Sequence, residues 1–155
     1  MSSKVSPIPG GYHSVTPYLL IGGAGAAIDF YIRAFDAVEI LRLTSPDGRI
    51  GHAEIRIGDS HLMLADEHPE MDFLGPQSRG GTCVTMHLYV ADADAVFARA
   101  IAAGAKELRP LCDQFYGDRS GAVTDPWGHV WSIASRVEEI TSDEIQRRFQ
   151  ELYGD

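Results

Sequence analysis

The chain carries one pattern twice. Residues 15–20 read as a short strand, Gly22-Gly23-Ala24-Gly25 as a turn, and 26–35 as a helix with Ile28, Tyr31, Ile32 and Phe35 on one apolar stripe. Three β-rich stretches follow at 38–44, 50–57 and 61–65, separated by Pro46-Asp47-Gly48 and Gly58-Asp59-Ser60, and spacers that short suit an antiparallel meander. After a polar, Gly- and Pro-rich stretch at 67–81, the order returns. A strand is expected at 83–90, then Asp92 as N-cap, a helix over 93–103 stopped by Gly104, and strands at 107–111, 120–124 and 130–134. Ala27-Ile28 is echoed by Ala95-Val96, and Phe35-Asp36-Ala37-Val38-Glu39 by Ala103-Gly104-Ala105-Lys106-Glu107, both 68 positions on (95 − 27 and 103 − 35).

Each half therefore reads β-α-β-β-β. One four-stranded sheet with one helix leaves its other face bare, so two such modules are expected to curve into an α+β cup whose hollow takes a ligand. The expected layout is an arm at 1–12, one domain at 13–136 made of modules 13–66 and 82–136 joined by the linker 67–81, and a C-terminal helix within 137–155. In that tail, Thr141 and Glu144 have capping-box spacing, and Ile145, Phe149 and Leu152 form a stripe that docks on the body or on a second subunit.

Charge narrows the partners. The net charge of −9 leaves no basic face for nucleic acid and is repelled by an acidic membrane surface. The longest uncharged run, 14–28, is too short to span a bilayer. Cys83 and Cys112 form no CxxC and no disulfide framework, which suits a reduced, cytoplasmic protein. Gly23-Ala24-Gly25 follows a strand and opens a helix. A dinucleotide loop would need a small residue at Ile28 and a second crossover, so these glycines serve the turn.

Strand alternation sorts the candidate site. Ala53, Ile55 and Ile57 suit the helix side, which turns His52, Glu54 and Arg56 toward the hollow. Met86, Leu88 and Val90 likewise turn Thr85, His87 and Tyr89 there, joined by Tyr18 and Met63. The loop aromatics Phe115 and Tyr116 are placed to stack on a planar ligand, whereas Trp131 points to the core. Asp118 and Arg119 are expected to pair with each other, and His61, His68 and His129 to be solvated near turns.

The motifs Pro17-Tyr18-Leu19, Ala27-Ile28-Asp29-Phe30-Tyr31, Gly51-His52-Ala53-Glu54-Ile55-Arg56-Ile57-Gly58, His87-Leu88-Tyr89-Val90 and Asp125-Pro126-Trp127-Gly128-His129-Val130-Trp131 stand in an order that resembles the vicinal-oxygen-chelate superfamily, the glyoxalase, bleomycin-resistance and dioxygenase group. The resemblance spans about residues 14–136 and implies the paired βαβββ fold. It also implies a divalent metal held by His, Gln or Glu on the first and last strand of each module, positions that fall here on Ser14, Met63, Thr85 and Ser132. None of those four is a ligand of the required kind. The resulting expectation is a metal-free homodimer, without cofactor, that binds a small aromatic or apolar organic molecule through Tyr18, His52, Glu54, Met63, His87, Tyr89, Phe115 and Tyr116, in the manner of drug-binding resistance proteins. Two alternatives stand beside it. One is a metal-dependent lyase, isomerase or dioxygenase using His52, Glu54 and His87; the other is a dimeric scaffold without activity.

Overall fold

In a computed structural model of the chain, residues 4–154 are described, and they divide into two compact units, one running to Gly81 and one starting at Thr82. Each is a mixed four-stranded sheet with a helix on one face.

The first unit contains β1 (Tyr18–Ile21), α1 (Ala24–Phe35), β2 (Val38–Thr44), β3 (Ile50–Ile57) and β4 (Ser60–Asp66) in the order β1-β4-β3-β2. The meander β2-β3-β4 is antiparallel, and β1 returns parallel to β4. Alternation along β3 and β4 buries Ala53, Ile55, Ile57, Leu62 and Leu64, while α1 buries Ala27, Ile28, Tyr31, Ala34 and Phe35. Ile32, placed in the stripe by its spacing, is instead 39% exposed. Phe30 is buried in its stead, edge-on to Tyr31 and Phe35, because the core also reaches α1 from its flank.

The first strand starts at Tyr18, later than the sequence suggests, and Val15 is exposed. Pro17 has no N–H for a ladder, although its carbonyl accepts from Met63 N at 2.9 Å. The helix starts two residues earlier than its pattern. Its N-cap is Gly23, which has no side chain, so Asp66 at the end of β4 supplies the acceptor. Asp66 Oδ1 takes the N–H groups of Gly23 (3.1 Å) and Ala24 (2.7 Å), and Oδ2 takes that of Ile50 (2.7 Å). A carboxylate at a helix N-terminus is favoured by the orphan amides and the helix dipole together. The stretch after β4 has local structure of its own, with a 3₁₀ turn at Pro69–Met71 and a short helix α2 at Pro76–Arg79. Glu67 Oε1 ties it back by accepting from Gly75 N at 2.7 Å.

The second unit repeats the plan with β5 (Thr85–Tyr89), α3 (Ala93–Ala103), β6 (Lys106–Asp113), β7 (Asp118–Thr124) and β8 (Val130–Arg136) in the order β5-β8-β7-β6, followed by α4 (Ser142–Tyr153). The Asp92 side chain caps α3 by accepting from Ala95 N at 3.0 Å, and Gly104 ends the helix at φ 119°. Asp125, 3% exposed, explains the Asp-Pro-Trp-Gly-His run. Its Oδ1 accepts from Trp127 N and His129 N, and its Oδ2 from Trp131 Nε1, all at 3.0 Å. His129, expected in solvent, is therefore folded into that turn and 9% exposed. Trp131 is core, as its alternation indicates.

Candidate functional site

In the first unit, the side chains on the face of β3 away from α1 build one connected polar network. Tyr12, at the end of the arm, donates its hydroxyl to Glu54 Oε2 at 2.5 Å. Glu54 Oε1 lies 3.2 Å from His52 Nε2, and His52 Nδ1 lies 2.8 Å from the Tyr18 hydroxyl. These bonds hold the Glu54 carboxyl below its ordinary range, the Tyr12 bond first and the His52 bond second. The same contact works in reverse on Tyr12. Desolvation first, then the bond and charge of Glu54, push its phenol up to about 12. Burial alone raises Tyr18. His61, expected in solvent, stacks on Tyr12 with ring centroids 4.2 Å apart, and its Nδ1 sits 2.9 Å from the Gly11 carbonyl. A carbonyl can only accept, so that Nδ1 carries the hydrogen.

Tyr18, His52 and Glu54 are thus brought together as the sequence suggests. Met63 stands beside them, opposite Tyr18 on β1 and opposite Glu54 on β3. Arg56 lies on the same face but outside the network. Sequence reasoning missed Tyr12 and gave His61 the wrong role, since nothing local marks an arm residue as a partner of a strand 42 positions later.

In the second unit, β5 pairs with β8 so that His87 stands opposite Ser132, with His87 Nδ1 2.9 Å from Ser132 Oγ. Thr85, the other position of this unit at which the resemblance implies a metal ligand, is paired with Val130. Ser14 likewise precedes β1, and the ladder partner of Met63 is Tyr18. Tyr89 crosses to β7 and donates its hydroxyl to the buried Asp118 at 2.7 Å, which raises the Tyr89 phenol. Asp118 consequently does not pair with Arg119. Arg119 instead grips Asp94 at 2.7 and 2.9 Å and reaches Asp113 at 3.3 Å.

A cavity of about 320 Å³ opens in this unit, lined by Arg109, Gln114, Tyr116, Ser120, Gly121 and Ser132. A bulge shapes it. Arg109 pairs with Ala122 and Cys112 with Ser120, so Pro110 and Leu111 together oppose the single Gly121. A Cβ on Gly121 would meet Leu111 N at 2.9 Å and Arg109 O at 3.1 Å, which is why the strand carries glycine there. The Arg109 side chain forms no ion pair or hydrogen bond with the described residues, and its guanidinium is free to take an anionic group. Pro110 inside a β-pattern was the available signal for this bulge.

Of the two loop aromatics, Tyr116 lines the cavity, whereas Phe115 belongs to the tail's footing. Its ring lies 6.0 Å from Phe149 and 6.4 Å from Tyr153, and Arg148 Nη1 donates to its carbonyl at 3.1 Å. Gly117, at φ 96° and with Glu138 O only 2.6 Å from where a Cβ would sit, lets the chain after β8 pass close by. Half of the expected capping box forms. Thr141 accepts from Glu144 N, but the Glu144 carboxylate turns to Arg147 and Arg148.

A metal of the kind the resemblance implies needs three protein ligands with free lone pairs. Among the described residues, no group of three or more His, Cys, Asp and Glu is arranged to hold one. Within the first unit, both His52 nitrogens and both Glu54 oxygens are already bonded, so an ion there would have to break the network. His87 lies on β5 of the other unit with Nδ1 engaged by Ser132. Bonded in this way, the donors of the network do not fit such an ion.

Comparison with known proteins places the chain. It is 48% identical over 136 residues to an uncharacterized protein of Mycobacterium bovis, covering 86% of this chain and 90% of the relative. An uncharacterized Arabidopsis thaliana protein, At5g48480, is 30% identical over 126 residues, 77% of this chain and 75% of that one. Its crystal structure superimposes with a TM-score of 0.64 at 28% identity, covering 79% of this chain and 98% of it. The crystal structure of TioX from Micromonospora sp. ML1 gives a TM-score of 0.63 at 28% identity, covering 83% of this chain and 100% of that one. The Glyoxalase/Bleomycin resistance protein/Dioxygenase superfamily profile matches residues 13–133, and the chain belongs to that superfamily.

Proposed function

We propose that the protein binds a small aromatic molecule bearing an anionic oxygen, without a metal ion, in the cavity of the second unit. The observation that carries this reading is an unpaired guanidinium, Arg109, in a cavity of about 320 Å³ beside Gln114, Ser132 and the Tyr116 ring. That volume falls at the lower end of small-ligand sites, about 300–1,000 Å³. A guanidinium takes a carboxylate through two parallel N–H bonds, and the phenol ring offers a face for a planar body. The lining is more polar than the aromatic or apolar ligand expected from sequence would call for, and its positive group runs against the net charge of −9. Superfamily membership supports small-molecule binding in general, and the particular ligand class rests on these residues.

A homodimer in a reducing, cytoplasmic setting belongs to the same reading. It draws on the exposed apolar edge strand β2 and on two free, exposed cysteines. Among the described residues, no helix is long and apolar enough to cross a membrane.

Calorimetric titration with 4-hydroxybenzoate, benzyl alcohol and benzylamine tests the ligand class. The acid is expected to saturate at one site and to weaken at least tenfold in Arg109→Ala, whereas the alcohol and amine bind weakly or not at all. Tight benzylamine binding that is indifferent to Arg109→Ala, or no binding by a wider set of aromatic carboxylates, overturns it.

A further inference from the structure

The network in the first unit has a fixed direction. An ionised Glu54 can only accept, so His52 Nε2 carries the hydrogen between them at 3.2 Å. In that tautomer the lone pair is on Nδ1, and the Tyr18 hydroxyl donates to it at 2.8 Å. Tyr12 occupies the other Glu54 oxygen and keeps the carboxylate from swinging away. Carboxylate, imidazole and hydroxyl in this order are the parts of an activated nucleophile, in which the carboxylate orients the base and stabilises the cation it becomes. Tyr18 is 48% exposed as a residue, so the side chain borders solvent.

We propose that Tyr18 is a nucleophile toward small activated acyl esters, with His52 as its base and Glu54 as the residue that positions His52. The Tyr18 oxygen attacks the acyl carbon while its proton passes to His52 Nδ1. The bond from the acyl carbon to the leaving oxygen breaks, and the leaving group departs with the electron pair and takes the proton from His52. An acyl ester of Tyr18 and a free alcohol or phenol result. Water then attacks the acyl carbon while His52 accepts its proton. The bond from that carbon to the Tyr18 oxygen breaks, the oxygen keeps the electron pair and takes the proton back from His52, and the carboxylic acid is released. Burial raises the Tyr18 phenol, so at neutral pH it is protonated and depends on the base at the moment of attack. This site uses no residue of the second unit's cavity, so the two readings stand or fall separately.

The test is acetylation of the full chain by p-nitrophenyl acetate, followed by peptide mapping with mass spectrometry. The five other tyrosines (6 − 1) serve as internal controls. Tyr18 is expected to acquire acetyl at least tenfold faster than Tyr153, which is 69% exposed but outside any such network. Tyr18→Phe removes that mark and leaves the others. His52→Ala slows Tyr18 at least tenfold, and Glu54→Gln, which keeps shape but loses the charge, slows it by a smaller factor with an altered pH profile. Acetylation of Tyr18 no faster than Tyr153, or unchanged in both His52→Ala and Glu54→Gln, overturns the proposal. Circular dichroism shows that each variant is folded, and the native chain's own Tyr18-to-Tyr153 ratio decides the matter even where a variant is not.

Discussion

The Tyr12 hydroxyl and Glu54 Oε2 are 2.5 Å apart, and this bond joins the stretch before β1 to the middle of β3. Its pH dependence has a definite sign at both ends. Glu54 is depressed in the folded chain, so its contribution is present above the unfolded carboxyl pKa of about 4.3 and is lost as pH falls through the lower folded value. Tyr12 is raised to about 12, so its contribution is present below the unfolded phenol pKa of about 10 and fades as pH climbs from there toward 12. Chemical denaturation of native chain and Tyr12→Phe should differ by about 1 kcal/mol at neutral pH, since the pair is partly exposed, and converge at both extremes. A constant difference from acid to alkali contradicts this.

Asp66 is predicted to matter more than its place at a strand end suggests. One carboxylate serves three backbone amides, two of them opening α1 above a Gly cap. Asp66→Ala should cost about 2–3 kcal/mol, and Asp66→Asn, which retains one good acceptor, clearly less. Equal melting points for the two variants would show that charge and acceptor count are irrelevant there.

Asp125→Ala should be among the most damaging single changes. It leaves the N–H groups of Trp127 and His129 and the Trp131 indole without the carboxylate they share in a buried turn. A loss of about 3 kcal/mol or more is expected, read from urea unfolding. Trp131 fluorescence should change even in the folded state, and unaltered emission would contradict the contact.

The proposed homodimer is tested through β2. Ile40, Leu41 and Leu43 are 47%, 40% and 53% exposed on an edge strand, a surface that a second copy would cover. Light scattering should give twice the chain mass of 16.9 kDa, and Leu41→Lys with Leu43→Lys should return it toward one. A native monomer at micromolar concentration rejects the dimer.

The repeat, the order of strands and helices, and the two faces of β3 and β5 are all set by local periodicity. Ala53, Ile55 and Ile57 alternate with His52, Glu54 and Arg56 because a strand has period two, and nothing distant is needed to read that. The Asp92 cap and the Gly104 stop are equally local. Other features needed the folded chain. Asp66 replaces the missing cap of α1 from 42 positions away, His87 meets Ser132 across the ladder, and Asp118 leaves its neighbour Arg119 for Tyr89. Each depends on ladder register between strands far apart in sequence, where a slip of one residue reverses every side chain and a slip of two exchanges every partner. Residue types and spacing therefore determined which side chains share a face, whereas only the register decided which of them touch, and the candidate chemistry of Tyr18, His52 and Glu54 lies in those contacts.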